Sequence, residues 1–229
     1  MLGEKTLHSA LKYYYEPNEL SHEQRAQGYF ADVKNEDGII EVQTGSMGAL
    51  RGKLREYLKT DPVTVVHPVV RKSAIIWIDS KTGEATRSRS SRVGRAEDAF
   101  LQLMYLEDIP LDPSLTVVVP LVDIEEERLV TGIRRGQKRY TKLDKIPTAM
   151  VGEEVFSSPA DYLKYLPRGL VSGGGFTAKR LALALGVKSA TAHAMLYTLL
   201  NLGLAERAKR GRGYVYTVTA PAVRGTDDE

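Results

Sequence analysis

Apolar and polar positions alternate with two periods along this chain, and the switches between them divide it into elements. Leu7, His8, Leu11, Tyr14 and Tyr15 recur at three- and four-residue spacing, which predicts an amphipathic helix over Leu2–Tyr15 that Pro17 stops. Glu19–Gln24 is polar and reads as a loop or edge segment. Period-two patterns follow at Tyr29–Lys34 and Ile39–Thr44, joined by Asn35-Glu36-Asp37-Gly38. An Asp-Gly pair between apolar runs is the strongest short-range hairpin signal, so these are expected to be adjacent antiparallel strands. Gly45–Lys59 returns to helical spacing through Leu50, Leu54, Tyr57 and Leu58, with Ser46 placed as cap.

Val63–Val70 and Ser73–Asp79 read as two β runs separated by a basic turn at Arg71-Lys72, the first continuously apolar as in a strand covered on both faces. Lys81–Arg95 has no apolar period and is expected to be a Ser/Arg-rich surface loop. A helix at Ala96–Leu106, a strand at Leu115–Ile133 interrupted at Pro120, a strand at Lys145–Phe156 and a short helix opened by Ser158-Pro159 complete a first body over residues 1–167. Between the last two strands, Arg134 to Tyr140 is a compact basic turn ending in an aromatic, suited to gripping phosphates. Residues 168–175, with three consecutive glycines, read as a linker. Residues 176–219 read as helix, turn, helix and hairpin, and residues 220–229 as a disordered tail.

Composition narrows the class. A 42% apolar content in 229 residues supports a packed core. No cysteine is present, which excludes disulfides and thiolate metal sites. No apolar run is long enough to cross a bilayer and no signal pattern opens the chain, so a cytoplasmic protein without membrane contact is expected. The net charge of +3 is too small to name a partner, but its distribution is uneven.

The hairpin places Asp32 on one strand and Glu41 and Gln43 on the next. Oxygen donors of this kind suit Mg²⁺ or Mn²⁺. Acids on the wet face of a hairpin usually do nothing; here the apolar neighbours Tyr29, Phe30, Ile39, Ile40 and Val42 argue for a covered strand pair, where a carboxylate needs a partner. An acid in a first helix, Asp on one strand, Glu-x-Gln on the next and then a helix resembles the restriction-endonuclease-like PD-(D/E)xK nucleases, most closely Holliday-junction-resolvase-type domains. The resemblance covers about the first third of the chain. It implies an α/β (α+β) body with a mixed sheet, catalytic residues Glu4, Asp32, Glu41 and Gln43, and a metal held by Asp32 and Glu41. Ala31 stands where the family has Pro, and Gln43 replaces its Lys. Lys72 is a candidate substitute for that cation.

Residues 176–219 resemble winged helix-turn-helix DNA-binding domains. Thr177 and Ser189 precede the two helices, and a hairpin surrounds Arg210-Gly211-Arg212. The resemblance implies DNA contact by Lys179, Arg180, Ser189, Thr191, Tyr197, Lys209, Arg210 and Arg212. The second helix lacks bidentate base readers on its expected outer face, which favours backbone contact over base reading. Together these features predict a metal-dependent DNA endonuclease, with a homodimer left open. The alternatives are a non-catalytic DNA-binding protein or regulator on a degenerate nuclease fold, and an assembly module whose winged helix binds protein.

Overall fold

The structure, a computed structural model, describes residues 5–219. Its fold is α+β, built on a large mixed sheet. Helix α1 (Thr6–Tyr15) precedes a meander of β1 (His22–Ala26), β2 (Tyr29–Asn35) and β3 (Gly38–Val42). Helix α2 (Arg51–Tyr57) then returns the chain to β4 (Val63–Val66), which pairs parallel with β3. Leu7 and Leu11 bury the apolar face of α1 against Val42, Val66, Val118 and Ile124. Leu50, Leu54 and Tyr57 pack on the other side of the sheet, with Ile39, Val65 and Val117.

The β run after residue 63 breaks at His67-Pro68, and β5 extends from Val69 to Asp79. The basic turn expected at Arg71-Lys72 is instead a bulge inside β5, where Arg71 forms a bidentate pair with Asp123. Pro68 explains the shift, because it offers no ladder N–H and restricts the residue before it. Strand β7 (Leu115–Arg134) takes both segments along one edge, pairing β4 at Leu115–Val118 and β5 from Leu121 onward. Pro120 therefore does not interrupt β7. Its missing N–H falls at the handover between partners. The other edge of β7 pairs with β8 (Gln137–Phe156), whose length exceeds the expected Lys145–Phe156 because the basic turn continues directly into it. Part of the expected Ser/Arg-rich loop is also a strand, β6 (Ala85–Arg89), on the edge of β5.

Helix α3 (Phe100–Leu103) covers the sheet, followed by α4 (Pro159–Leu163) and α5 (Arg168–Val171). Helix α5 occupies half of the segment expected to be a linker. The C-terminal unit comprises α6 (Ala178–Leu185), α7 (Ser189–Asn201) and a hairpin of β9 (Ala205–Arg210) and β10 (Gly213–Val218), with Phe176 bridging to Tyr216. Thr177 caps α6 through the Arg180 N–H, as expected. Ser189 is the first residue of α7, and its hydroxyl turns to His193. One buried cluster runs from Phe100, Leu103 and Leu106 into Met195, Leu196 and Leu199, so α7 shares the core of the sheet body. Among the described residues no helix is long and apolar enough to cross a membrane.

Candidate active site

Strands β2 and β3 pair through Val33–Ile40, Lys34–Ile39 and Asn35–Gly38, and the ladder then stops. The next facing residues in that register are Asp32 and Glu41. Two side-chain bonds replace the backbone bonds at this point. The Val42 N–H donates to Asp32 Oδ2 at 2.8 Å, and the Asp32 N–H donates to Glu41 Oε1 at 3.4 Å. Each carboxylate thus satisfies an amide of the opposite strand and holds the pair open.

Two helices reach the acids. From α1, His8 Nε2 lies 3.2 Å from Asp32 Oδ2. From α2, Lys53 Nζ lies 2.7 Å from Glu41 Oε1 and 2.8 Å from Oε2. The helical period places Lys53 one residue before Leu54, so its stem rises beside the buried face of α2 and its ammonium lies 5.6 Å from the Tyr57 ring centroid. Tyr57 is fully buried, and its hydroxyl has no hydrogen-bond partner among the described residues.

Glu41 is 2% exposed, and its carboxyl is pushed up to about 7. Burial is the larger cause and the Asp32 charge the second; together they outweigh the Lys53 ammonium. Burial acts on Asp32 in the same upward sense, but the bonds from His8 and the Val42 N–H prevail and hold it below the usual carboxylate range. Facing acids with opposite shifts divide roles: one stays ionised while the other exchanges a proton near neutrality. Burial also places the Tyr57 hydroxyl above its ordinary value, with the Glu41 and Asp32 charges adding to it.

Gln43 does not join the pair. Its amide accepts from the Gly45 N–H and donates to the Ser46 carbonyl, closing the turn before α2. Ser46 makes no side-chain cap, and the helix opens through a 3-10 turn. Lys72 lies exposed in β5 beside Asp123; the cation at Glu41 is Lys53, which motif spacing did not reveal because it comes from the following helix. Glu4 lies outside the described residues. Among those described, no set of three or more His, Asp or Glu side chains is arranged around a metal position. The donor chemistry nonetheless suits a hard divalent cation: two facing carboxylates and the buried Tyr57 hydroxyl, with Lys53 competing for Glu41.

The expected DNA-contact residues divide. Lys179, Arg180, Ser189, Lys209, Arg210 and Arg212 are exposed, as is Tyr197 at 45%. Thr191 is not: it is 1% exposed and its hydroxyl donates to Asp98 of the sheet body. Ala194 and Thr198, expected to face outward with Thr191, are buried as well, against the α3 region, while Ala190 and Tyr197 of the same expected face stay exposed.

A sequence profile described as a domain of unknown function (DUF8091) matches residues 5–157, from the residue before α1 to the residue after β8. An uncharacterized protein of Treponema pallidum (strain Nichols) is 32% identical over 140 residues, 61% of this chain and 55% of that relative. The chain thus spans about half the length of the curated relative it matches. No solved structure matches. The matched residues contain Asp32, Glu41, Lys53 and His8 and end before α6, so the acid pair lies within the family domain: the chain belongs to the DUF8091 family.

Proposed function

We propose that the chain is a metal-dependent DNA endonuclease, with Mg²⁺ or Mn²⁺ held by Asp32 and Glu41. The observation that carries this reading is the opening of the β2–β3 ladder at the two facing acids, with Lys53 brought onto Glu41. The order helix, hairpin, helix, strand that the restriction-endonuclease resemblance implies is present as α1, β2–β3, α2 and β4, with β1 added before the hairpin. Lys53 offers the cation that Gln43 does not. When bound, the metal would lower the pKa of a water and neutralise charge developing on the phosphate.

The chain's own residues supply the rest. His8 and the Val42 N–H fix the Asp32 rotamer and keep it ionised. Glu41, poised near neutrality and now paired with the Lys53 ammonium, would hold the divalent ion together with Asp32. The Lys53 ammonium, beside the acids, would offer a positive charge to a phosphate oxygen. DNA is held by the exposed cations of the β9–β10 hairpin together with Lys179 and Arg180, in the manner of a winged helix that uses its wing. Contact through the α7 face that carries Thr191 is left out, because that face is buried.

The test is cleavage of duplex, single-stranded and branched DNA with Mg²⁺, Mn²⁺ or chelator. Glu41→Gln should abolish metal-dependent cutting and leave DNA binding within about twofold, since it removes a metal ligand and no phosphate contact. Parallel loss of binding would assign Glu41 to folding. No cutting of any DNA form by the parent chain would favour a second reading, a non-catalytic DNA-binding protein. Its supporting observation is that the Lys53 ammonium already occupies Glu41.

A further inference from the structure

The break between β4 and β5 opens a cleft of about 390 Å³ whose lining includes His67, Arg92, Glu126, Arg128, Lys142 and Lys145. It lies where β7 changes partner, at the C-terminal end of β4, a place where the main-chain ladder is interrupted and a ligand can approach the sheet. Four cations face the cleft against two carboxylates, Glu126 and Asp98. Glu126 is 6% exposed and is matched by Arg128 and by Lys142 at 3.5 Å, while Asp98 lies 3.7 Å from Arg92. Lys145 makes no ion pair among the described residues, although it is partly buried and its ammonium is held below its ordinary value, chiefly by that burial. The neighbouring Glu126 attracts it without forming an ion pair, and a half-buried cation held this loosely is stabilised by an anion that joins it.

The cleft does not end at Arg128. Trp77, Arg128 and Lys142 are register partners on β5, β7 and β8 and so stand side by side. The Arg128 guanidinium lies 4.5 Å from the Tyr140 centroid and 5.2 Å from that of Trp77, and the Lys138 ammonium lies 4.5 Å from Trp77. The rings hold two cations in place at the surface, and Tyr140 remains 39% exposed. From the β7 residue opposite Tyr140 to the one opposite Lys145 is four positions, roughly 13 Å of strand, which carries the row of cations from the ring cluster into the cleft. That is longer than one phosphate requires. A second cleft of about 440 Å³ shares Ser73, Ser90 and Ile124 with the first and adds Lys72 and Arg89.

We propose that this cleft and the Trp77–Tyr140 cluster form a track for a single nucleic-acid strand, separate from the β9–β10 hairpin. The cations contact successive phosphates, and the exposed aromatic edge accepts a base.

The test is fluorescence anisotropy with a labelled short oligodeoxythymidine, in chelator and over a salt series. A positive or negative outcome is therefore independent of whether the acid pair cleaves. Lys142→Ala with Lys145→Ala should weaken binding at least about tenfold and flatten the salt slope by about 1.4, at roughly 0.7 per single-strand phosphate. The paired Lys→Arg changes should restore both, and Lys145→Ala alone should give about half the slope change without disturbing the Glu126 pair. The proposal is overturned if the Lys variants keep parental affinity and slope, if inorganic phosphate displaces the oligomer stoichiometrically, or if an acidic peptide or a duplex binds the same residues equally well.

Discussion

Glu41 gives the acid pair a pH signature. Its folded-state pKa, at about 7, is raised above the ordinary 4.5, so its contribution to stability is fully present below about pH 4.5 and is lost as pH rises through 7. Asp32 is shifted the other way, and its contribution is lost only on acidification below the ordinary carboxylate value, outside that window. Unfolding midpoints measured between pH 4.5 and 7 should therefore show the parent losing ground to Glu41→Gln as pH rises, by on the order of 1–3 kcal/mol across the window. A constant difference would mean that Glu41 stays ionised throughout, with Lys53 as a full counter-ion. Asp32 and Glu41 were legible in the sequence because the Asp-Gly turn fixes the hairpin register, and register makes them face. Lys53 was not, since it reaches the pair from another element and no spacing rule within a hairpin points to it. Gln43 had the right position for the motif, but short-range bonds to Gly45 and Ser46 claimed its amide.

At the scale of elements, the close approach of β3 to the end of α2's return loop rests on Gly38. Its φ is +125°, and a Cβ there would lie 2.3 Å from the Pro62 carbonyl oxygen, the same oxygen that accepts from the Ile39 N–H. Gly38→Ala should cost about 2–4 kcal/mol by chemical denaturation and should misplace Glu41, three residues on, against Lys53. Loss below about 0.5 kcal/mol would show that the β3–β4 junction yields easily. The hairpin's turn was readable from two residues, whereas the β4–β5 break was misplaced because a basic dipeptide looks like a turn until Pro68 is weighed against it. Strand β6 was hidden for a different reason: an exposed edge strand has no apolar period to reveal it. The β9–β10 hairpin was legible, and it carries its own prediction. Arg210→Ala with Arg212→Ala should weaken duplex binding alike on all sequences and flatten the salt slope by up to about 1.8. An unchanged slope would remove the hairpin from the DNA contact.

Over the whole molecule, the two units read from the sequence are not energetically separate. The periodicity of α7 correctly marks Ala192, Met195, Leu196 and Leu199 as core, but Thr191, Ala194 and Thr198 look like a solvent face only while α7 is considered within its own unit. Small side chains there let α7 lie close against Leu101 and Met104, and Thr191 is tied to Asp98. Arg95 adds a bond to the Leu185 carbonyl at the end of α6. Sequence periodicity cannot report such docking, because a small polar residue suits both water and a tight interface. Removing residues after 175 would uncover Phe100, Leu103 and Leu106, all of them fully buried in the intact chain. The intact chain should thus unfold in one transition, and Met195→Ala should lower that single transition by about 2–5 kcal/mol. A chain ending at residue 175 should melt well below the parent and bind a dye for exposed apolar surface. Two resolved transitions in the parent, with Met195→Ala moving only one of them, would show that the C-terminal unit folds independently. In that case α7 could leave the sheet body, and the Thr191 face would again be open to a groove.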